Sequence, residues 1–571
     1  MDLTPYETLS AERKLLQSKG DIPPWITTPS WQLIRARYLK MGANYKDRRK
    51  VIAKTLAKHT PDPELWEKKF FDLMWSGQLV CSSPVDGNTG IPEGMTVSCS
   101  HTVPKDSVDG FFKNLHSDAM RTKHSFGVSG SLGLIRPRGS QIGNDPKNLA
   151  SGVVPIIDLH TRMAGFVNQG VRRGSWKGYL PVSHGDFDEL VTYAQEHDCN
   201  LGWCYSAKDI ADLASGDAEA ERKWNEINYL MMTRGIGDLW KTDTANEALP
   251  KWYKDLGLVT HGSNLCNEVV AAITNAAGDY PVDWDYACVL SSVNALHHKD
   301  WERDDTIFSS FVFLHCVALE AIEVGSKIPG LEATVRFLKD HMSLGLGVVG
   351  FHSALQQEGM AYGDLPSTFF NKKMFRYINA ETQRASEWIF KNFRPDQCAN
   401  ITRDYGVANA QRMAVAPNLS SALLAGGISQ GIEPIYGNVF LQDTPAGKVL
   451  RVNPKFLELM QERGYYSQAT LDQCKADAGS VRSFDWLTAD EKLILRTAFE
   501  IPQKDLIRMA GDRQPDIDQS QSLNLFVSAD EDEAYIGELN KEILMNPYVK
   551  GRYYIRSQSG VFIDKTCTSC T

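Results

Sequence analysis

The chain has 571 residues, 42% hydrophobic and 23% charged, with 61 Lys and Arg against 70 Asp and Glu for a net charge of −9. At roughly 100–200 residues per domain, this length fits three or four domains, or one large α/β barrel with additions. The composition excludes a largely disordered, collagen-like or coiled-coil chain, and the acidic balance excludes a general binder of nucleic-acid polymers or membrane surfaces.

The opening segment, MDLTPYETLSAERK, has no apolar signal-peptide core, which points to the cytoplasm. The first 75 residues read as helical, punctuated by DIPPW and HTPDPELW. Trp31 to Ala57 carries apolar residues at three- and four-residue spacing, as on an amphipathic helix. From residue 76 to 545, short β-rich runs, Gly/Pro/Asn loops and helical patterns alternate, which favours an α/β fold. GVVPIID (152–158) predicts a buried strand leading into a helix. The run Ile307 to Ile322 is interrupted by Ser309, Ser310, His315 and Glu320 and falls short of the ~18 apolar residues of a membrane span. It predicts a core helix. From Asn546 the apolar period lapses, and 546–571 is expected to be a flexible tail ending KTCTSCT. The expected organisation is therefore a helical region (1–75), a catalytic α/β unit (76–545) and a tail (546–571).

The 11 cysteines are odd in number and sparse, so a disulfide framework is not expected. Gly345, Gly347 and Gly350 spell G-x-G-x-x-G. The preceding FLKDHMSL reads as a helix end, and Glu358 and Asp364 come too early for a ribose-binding acid. A close-packed helix–loop crossing is the expected use of these glycines. His297, His298, His315 and His352 lack metal-ligand spacing and read as core or surface histidines, so no metal ligand is assigned. HGSNLCNEVV puts Asn264, Cys266 and Glu268 on alternate positions. In an extended stretch they would share one face, a thiol between an amide and a carboxylate. Pro417-Asn418-Leu419-Ser420-Ser421 precedes an apolar helical run and offers either plain capping or a phosphate cradle. Cys567 and Cys570 form a C-x-x-C beside the chain end, suited to carrying reducing equivalents by thiol–disulfide exchange. Tyr553 and Tyr554 are adjacent and by themselves read as ordinary aromatics.

Taken together and in order, SSPVDGNTGIPEGMTVSC, KDSVDGFFKNL, IRPRGSQI, SGVVP, NQGVRRG, SNLCNEV, YACVLSSVN, LGLGVVGFHSALQ, PNLSS, ISQGIEP, QSQSLNLF and the tail resemble the catalytic large subunit of ribonucleotide reductases over residues 80–571. The resemblance implies a ten-stranded α/β barrel of two five-stranded parallel halves, arranged antiparallel, with the Cys266 loop inside. It implies reduction of ribonucleoside diphosphates to 2′-deoxyribonucleoside diphosphates. Cys266 would become the thiyl radical that takes the ribose 3′-hydrogen. Asn264 and Glu268 would hold the ribose hydroxyls, with Glu268 as base on the 3′-OH. Cys99 and Cys288 would be the dithiol that ends as a disulfide when the 2′-OH leaves as water. A thiol S–H bond is comparable in strength to an activated C–H bond, so the abstraction can be reversible.

The same resemblance implies that Ser83, Asn418, Ser420 and Ser421 bind the substrate phosphates. Asp106 and Arg136 would bind a dNTP or ATP specificity effector, and Arg172 and Arg173 would lie in the loop that links effector to substrate choice. Tyr553 and Tyr554 would relay an oxidising equivalent from a ferritin-like small subunit that carries the metal-based radical cofactor, with no cofactor bound covalently in this chain. Cys567 and Cys570 would be re-reduced by thioredoxin or glutaredoxin, and a homodimer, possible on effector binding, is expected. The N-terminal ATP cone of many relatives is not recognisable, and PNLSS departs from the commoner phosphate-loop pattern. Two other readings stand beside this one: an adenosylcobalamin-dependent (class II) reductase, and a degenerate nucleotide-binding regulator.

Overall fold

The computed structural model describes residues 5–39, 44–167, 174–279, 282–444 and 447–558. Four helices come first: α1 (Pro5–Ser18), α2 (Thr28–Arg37), α3 (Tyr45–Ala57) and α4 (Pro63–Ser76). The prolines punctuate as expected. Pro63 opens α4 behind the Asp62 cap, whose side chain accepts from Leu65 N, and Gly77 ends it at φ 78°. The amphipathic stretch Trp31–Ala57 is not one helix. It breaks after Arg37, and Asn44 caps α3 by accepting from Asp47 N at 2.8 Å.

The strands are β1 (Leu79–Cys81), β2 (Cys99–Thr102), β3 (Gly127–Ser131), β4 (Trp176–Pro181), β5 (Asn200–Tyr205), β6 (Asp238–Lys241), β7 (Val259–Thr260), β8 (Ala272–Thr274), β9 (Tyr286–Asn294), β10 (Leu344–Val349), β11 (Val439–Thr444), β12 (Gly447–Val452), β13 (Leu525–Val527), β14 (Gly551–Arg552) and β15 (Ile555–Ser557). β2 to β6 pair successively and in parallel, each joined to the next through helices, which gives one five-stranded parallel half. β9 pairs antiparallel with β2 and with β1, and parallel with β10. At the other edge β14 pairs antiparallel with β6.

This curled sheet has nine regular strands. Its hydrogen bonding is carried on by irregular backbone. Leu344 N and Leu346 N donate to Gln411 O and Arg412 O, Val415 bridges to Gln521 in parallel, and Tyr553 N donates to Leu523 O. β13 and β15 continue that contact in parallel.

Three sequence expectations change here. GVVPIID is not a strand. Pro155 sits in the first turn of a helix at Val154–Phe166, and its β-branched neighbours pack on the helix face. The glycines of GLGVVG lie in and just after β10, not in a helix–loop crossing. A Cβ on Gly345 would meet Leu290 Cδ2 at 2.3 Å, and one on Gly347 would meet Ala414 O at 2.7 Å, so these positions let β10 lie between two neighbouring segments. Residues 546–558, expected in the tail, are part of the barrel wall, and Tyr553 is wholly buried. The expected core helix is present at Thr306–Gly325. It is long and apolar enough to cross a membrane, but 83% of its apolar window is buried against protein, including α3 and α4.

The N-terminal helices brace one end of the barrel. The Arg49–Asp86 ion pair (2.5 Å) is buried and ties α3 to the short helix Ser83–Asn88, and Ser30 Oγ donates to Leu423 O at 2.6 Å. Residues 439–495 carry a separate small core around Phe456, Met460 and Phe484 behind the β11–β12 hairpin.

Candidate active site

The strands β7 and β8 pair antiparallel and bracket an irregular loop, 261–271, that enters the barrel. A buried loop must satisfy its backbone groups. Here five carbonyls receive donors from three parts of the wall, β3, β4 and the segment 520–522. Ser263 O accepts from Ser129 Oγ (2.8 Å), Asn264 O from Tyr179 Oη (2.6 Å), Leu265 O from Lys177 Nζ, Cys266 O from Ser522 Oγ (2.5 Å), and Glu268 O from Ser520 N (2.9 Å).

The loop is not extended, as alternate spacing had suggested. Asn267 takes φ 65°, and Asn264 Oδ1 accepts from Glu268 N (3.1 Å) and Val269 N (3.3 Å). Asn264, Cys266 and Glu268 therefore converge through a turn. Asn267 Nδ2 donates to Leu239 O (3.2 Å) and Arg552 O (2.9 Å), which fastens the turn to β6 and β14.

Around this turn the expected groups assemble. The Cys266 thiol donates to Tyr553 Oη at 3.4 Å, and the Tyr553 and Tyr554 rings stack with centroids 3.7 Å apart. Glu268 Oε1 accepts from the Cys99 thiol at 3.6 Å and Oε2 from Ser522 Oγ at 3.3 Å. Burial holds the Glu268 carboxyl above the usual range, and donors that include the Asn264 side chain, Cys99 and Ser522 pull it part of the way back. Asn264 Nδ2 is buried beside that carboxylate without a hydrogen bond of full geometry.

Cys99 and Cys288 are directly opposite partners in the antiparallel β2–β9 ladder. Both are free thiols. Burial pushes Cys288 up to about 12, so it is a protonated thiol at neutral pH. Gln519 Nε2 donates toward its sulfur at 3.8 Å, while Gln519 Oε1 accepts from Tyr286 Oη at 2.5 Å.

At the brace end, Ser83 Oγ shares a hydrogen bond with Tyr38 Oη (2.8 Å), and Ser421 Oγ donates to Cys81 O (3.5 Å), bringing the PNLSS turn beside Ser83. Asn418 sits at φ 60° just before the helix Leu419–Leu424. Its amide is occupied, donating to Val348 O and Ala416 O (each 3.1 Å) and accepting from Ser292 Oγ (3.2 Å), so the side chain shapes the turn. Ser420 and Ser421 are buried beside it.

Elsewhere, Arg136 Nε donates to Asp106 Oδ2 at 2.6 Å on the rim of a cavity of about 310 Å³ between the helices Val108–Lys123 and Val154–Phe166. Arg172, Arg173, Cys567 and Cys570 lie outside the described residues. Among the described residues one group, His59, Glu320 and Glu323, gathers donors as a metal site would, and there Lys58 Nζ pairs with both glutamates (2.7 and 3.0 Å).

Sequence reasoning did not single out Lys177, Tyr179, Gln519 or Ser522. QSQSLNLF, an unbroken polar run entering an apolar one, was the available signal for the last two, since a barrel interior that does chemistry needs polar groups on an inward face.

The fold, with a buried thiol set beside a carboxylate and a phenol, is that of an α/β-barrel oxidoreductase. Residues 97–207, 205–395 and 390–553 match the ribonucleotide reductase barrel domain, and residues 26–94 match the ribonucleotide reductase all-alpha domain. The chain belongs to the ribonucleotide reductase large-subunit family. It is 28% identical over 526 residues (87% of this chain, 89% of the relative) to the protein named a ribonucleoside-diphosphate reductase large subunit in Frog virus 3 (isolate Goorha). It is 24% identical over 612 residues to the ribonucleoside-diphosphate reductase subunit alpha of Chlamydia muridarum (strain MoPn / Nigg), covering 90% of this chain and 57% of that longer protein. Among solved structures it resembles the Actinobacillus ureae class Id ribonucleotide reductase alpha subunit, with TM-score 0.84 and 29% identity over 95% of this chain and 99% of that one.

Proposed function

We propose that this chain reduces ribonucleoside diphosphates to 2′-deoxyribonucleoside diphosphates, driven by a radical passed from a separate ferritin-like, metal-containing subunit. The observation that carries this is the buried Cys266 thiol pointing its S–H at Tyr553, with Tyr554 stacked behind. Such a file of oxidisable groups suits an incoming oxidising equivalent. A cobalamin-dependent enzyme would not need it.

In this reading Cys266, as a thiyl, takes the ribose 3′-hydrogen. Glu268 accepts the 3′-OH proton, and Asn264 Nδ2, which makes no hydrogen bond of full geometry within the protein, donates to a ribose oxygen. The 2′-OH leaves as water while Cys99 and Cys288 give two electrons and two protons and become a disulfide. Burial keeps Cys288 in the protonated thiol form, so its proton is in place before the hydroxyl departs. Cys266 then recovers its hydrogen, and Cys567 and Cys570, re-reduced by thioredoxin or glutaredoxin, open the disulfide. Ser83, Ser420, Ser421 and the Asn418 turn hold the substrate phosphates.

Asp106 and Arg136 hold an effector nucleotide, with Arg172 and Arg173 passing its identity to the substrate side. Exposed Val108, Phe112, Leu159 and Phe166 on the two adjoining helices support a homodimer there. The cytoplasm supplies the thiol reductants this cycle requires.

The test is deoxynucleotide formation from ribonucleoside diphosphates with a dithiol and an effector, run in parallel with a metal-loaded ferritin-like subunit and with adenosylcobalamin. Product only with the subunit is the expected result. Product with cobalamin alone overturns the role of the tyrosines, and no product in either arm overturns the activity.

A further inference from the structure

Lys177 and Asp238 form a buried ion pair, the lysine 3% exposed, that the chemistry above does not use. Charges this deep are retained only when paired and hydrogen-bonded. Lys177 Nζ donates to the Asp238 carboxylate and also to Leu265 O, the carbonyl of the residue before Cys266. The same ammonium lies 4.9 Å from the Tyr553 ring centroid and 5.7 Å from that of Tyr179. One cation thus touches both the loop that carries the thiol and the phenol that faces it. Arg552, the neighbour of Tyr553, donates to Gly237 O (2.8 Å) and to the Tyr553 carbonyl (3.1 Å), and no contact of it with the phenol ring is seen among the described residues.

We propose that Lys177 is a positioning residue that biases hydrogen exchange between Tyr553 and Cys266 toward the cysteine radical. The inference rests on the radical reading above. The step is one hydrogen atom: the Cys266 S–H bond breaks, the Tyr553 O–H bond forms, and the unpaired electron passes from the phenoxyl oxygen to sulfur. The only oxidant is the equivalent already delivered to Tyr553. A cation is attracted to the electron-rich face of a phenol. A tyrosyl radical has given up part of that π density, so the ammonium favours the phenol and hence the sulfur radical. Its bond to Leu265 O holds the loop at the Tyr553 distance. Asp238 supplies the counter-charge of the buried pair.

The experiment uses the complete enzyme with its radical-supplying subunit, a ribonucleoside diphosphate and an effector, freeze-quenched and examined by electron paramagnetic resonance. In Lys177→Met the tyrosyl signal that disappears in a Tyr553→Phe background should rise about tenfold, equivalent to about 1.4 kcal/mol in the exchange equilibrium. Lys177→Arg, which keeps a cation, should return it toward the unmodified level. Lys177→Met leaves Asp238 short of a partner, so Lys177→Met/Asp238→Asn carries the test if the single variant does not fold. An unchanged signal, or lost turnover with no added tyrosyl radical, overturns the proposal. Absence of turnover in the unmodified enzyme overturns the functional reading beneath it.

Discussion

Cys99 and Cys288 stand opposite each other on one rung of the antiparallel β2–β9 ladder, although the chain makes most of a half-barrel between them. Opposed residues in such a ladder have Cα atoms about 4.5–5.5 Å apart, within the ~4.4–6.8 Å range that a disulfide spans. Turnover without added reductant should therefore leave a Cys99–Cys288 disulfide, identified by peptide mapping under non-reducing conditions. Cys288→Ser should abolish deoxynucleotide formation and leave nucleotide binding within about twofold. A turnover-dependent disulfide between other cysteines would falsify the pairing.

Ser522 bonds both the Cys266 carbonyl and the Glu268 carboxylate. Glu268 is already held above the usual carboxylate range by burial. A base works above its pKa, so the acid limb of the activity profile follows Glu268. Ser522→Ala removes a donor that favours the carboxylate, which raises its pKa further, so the acid limb should move to higher pH. A limb that stays in place, or moves to lower pH, would show that Glu268 does not control it.

Tyr553 is buried, and its hydroxyl receives the Cys266 thiol. Tyr553→Phe keeps the ring and its stacking on Tyr554, and costs at most about 0.5–1.5 kcal/mol of stability from the lost hydrogen bond. Turnover should nevertheless fall below detection while substrate and effector still bind. Measurable multiple turnover in this variant would remove Tyr553 from the radical path.

Gly345 in β10 has no room for a methyl group, whose carbon would lie 2.3 Å from Leu290 Cδ2 and 3.2 Å from Cys288 Sγ. Gly345→Ala should destabilise the fold by about 1–3 kcal/mol, read from the denaturant midpoint. It should also slow Cys99–Cys288 disulfide formation, since the crowding, heaviest on Leu290 and Ala414, reaches the Cys288 sulfur as well. A variant of unchanged stability and oxidation rate would show that the strands separate freely here.

Much of the site was legible because its residues are chemically unusual where they stand. Cys266 between Asn264 and Glu268 is a pattern that packing alone does not call for, whereas Tyr553 beside Tyr554 took on meaning only through the family resemblance. Their geometry was not legible. Alternation suggested one extended face, whereas Asn267 in the left-handed region turns the loop so that the three converge. The start of the helix at Val154–Phe166 read as a strand over 152–158 leading into a helix, because its Val and Ile content outweighed the Pro155 start signal. β10 read as a crossing because a strand that needs glycines for close approach looks, in one dimension, like a loop. Tyr553 and its neighbours read as tail because their apolar partners come from β6 and 523–527, far back along the chain. Lys177 gave no signal at all, since a lysine before a β-run looks like any surface residue until the fold encloses it.

The single Asn267 side chain, bonded to Leu239 and Arg552 carbonyls, makes the Cys266 turn and the Tyr553 segment one mechanical unit at the seam where the sheet reverses direction. The spacing between the Cys266 sulfur and the Tyr553 oxygen is therefore held from both sides of the seam by one side chain, and a change at Asn267 would loosen the loop and the C-terminal strand together.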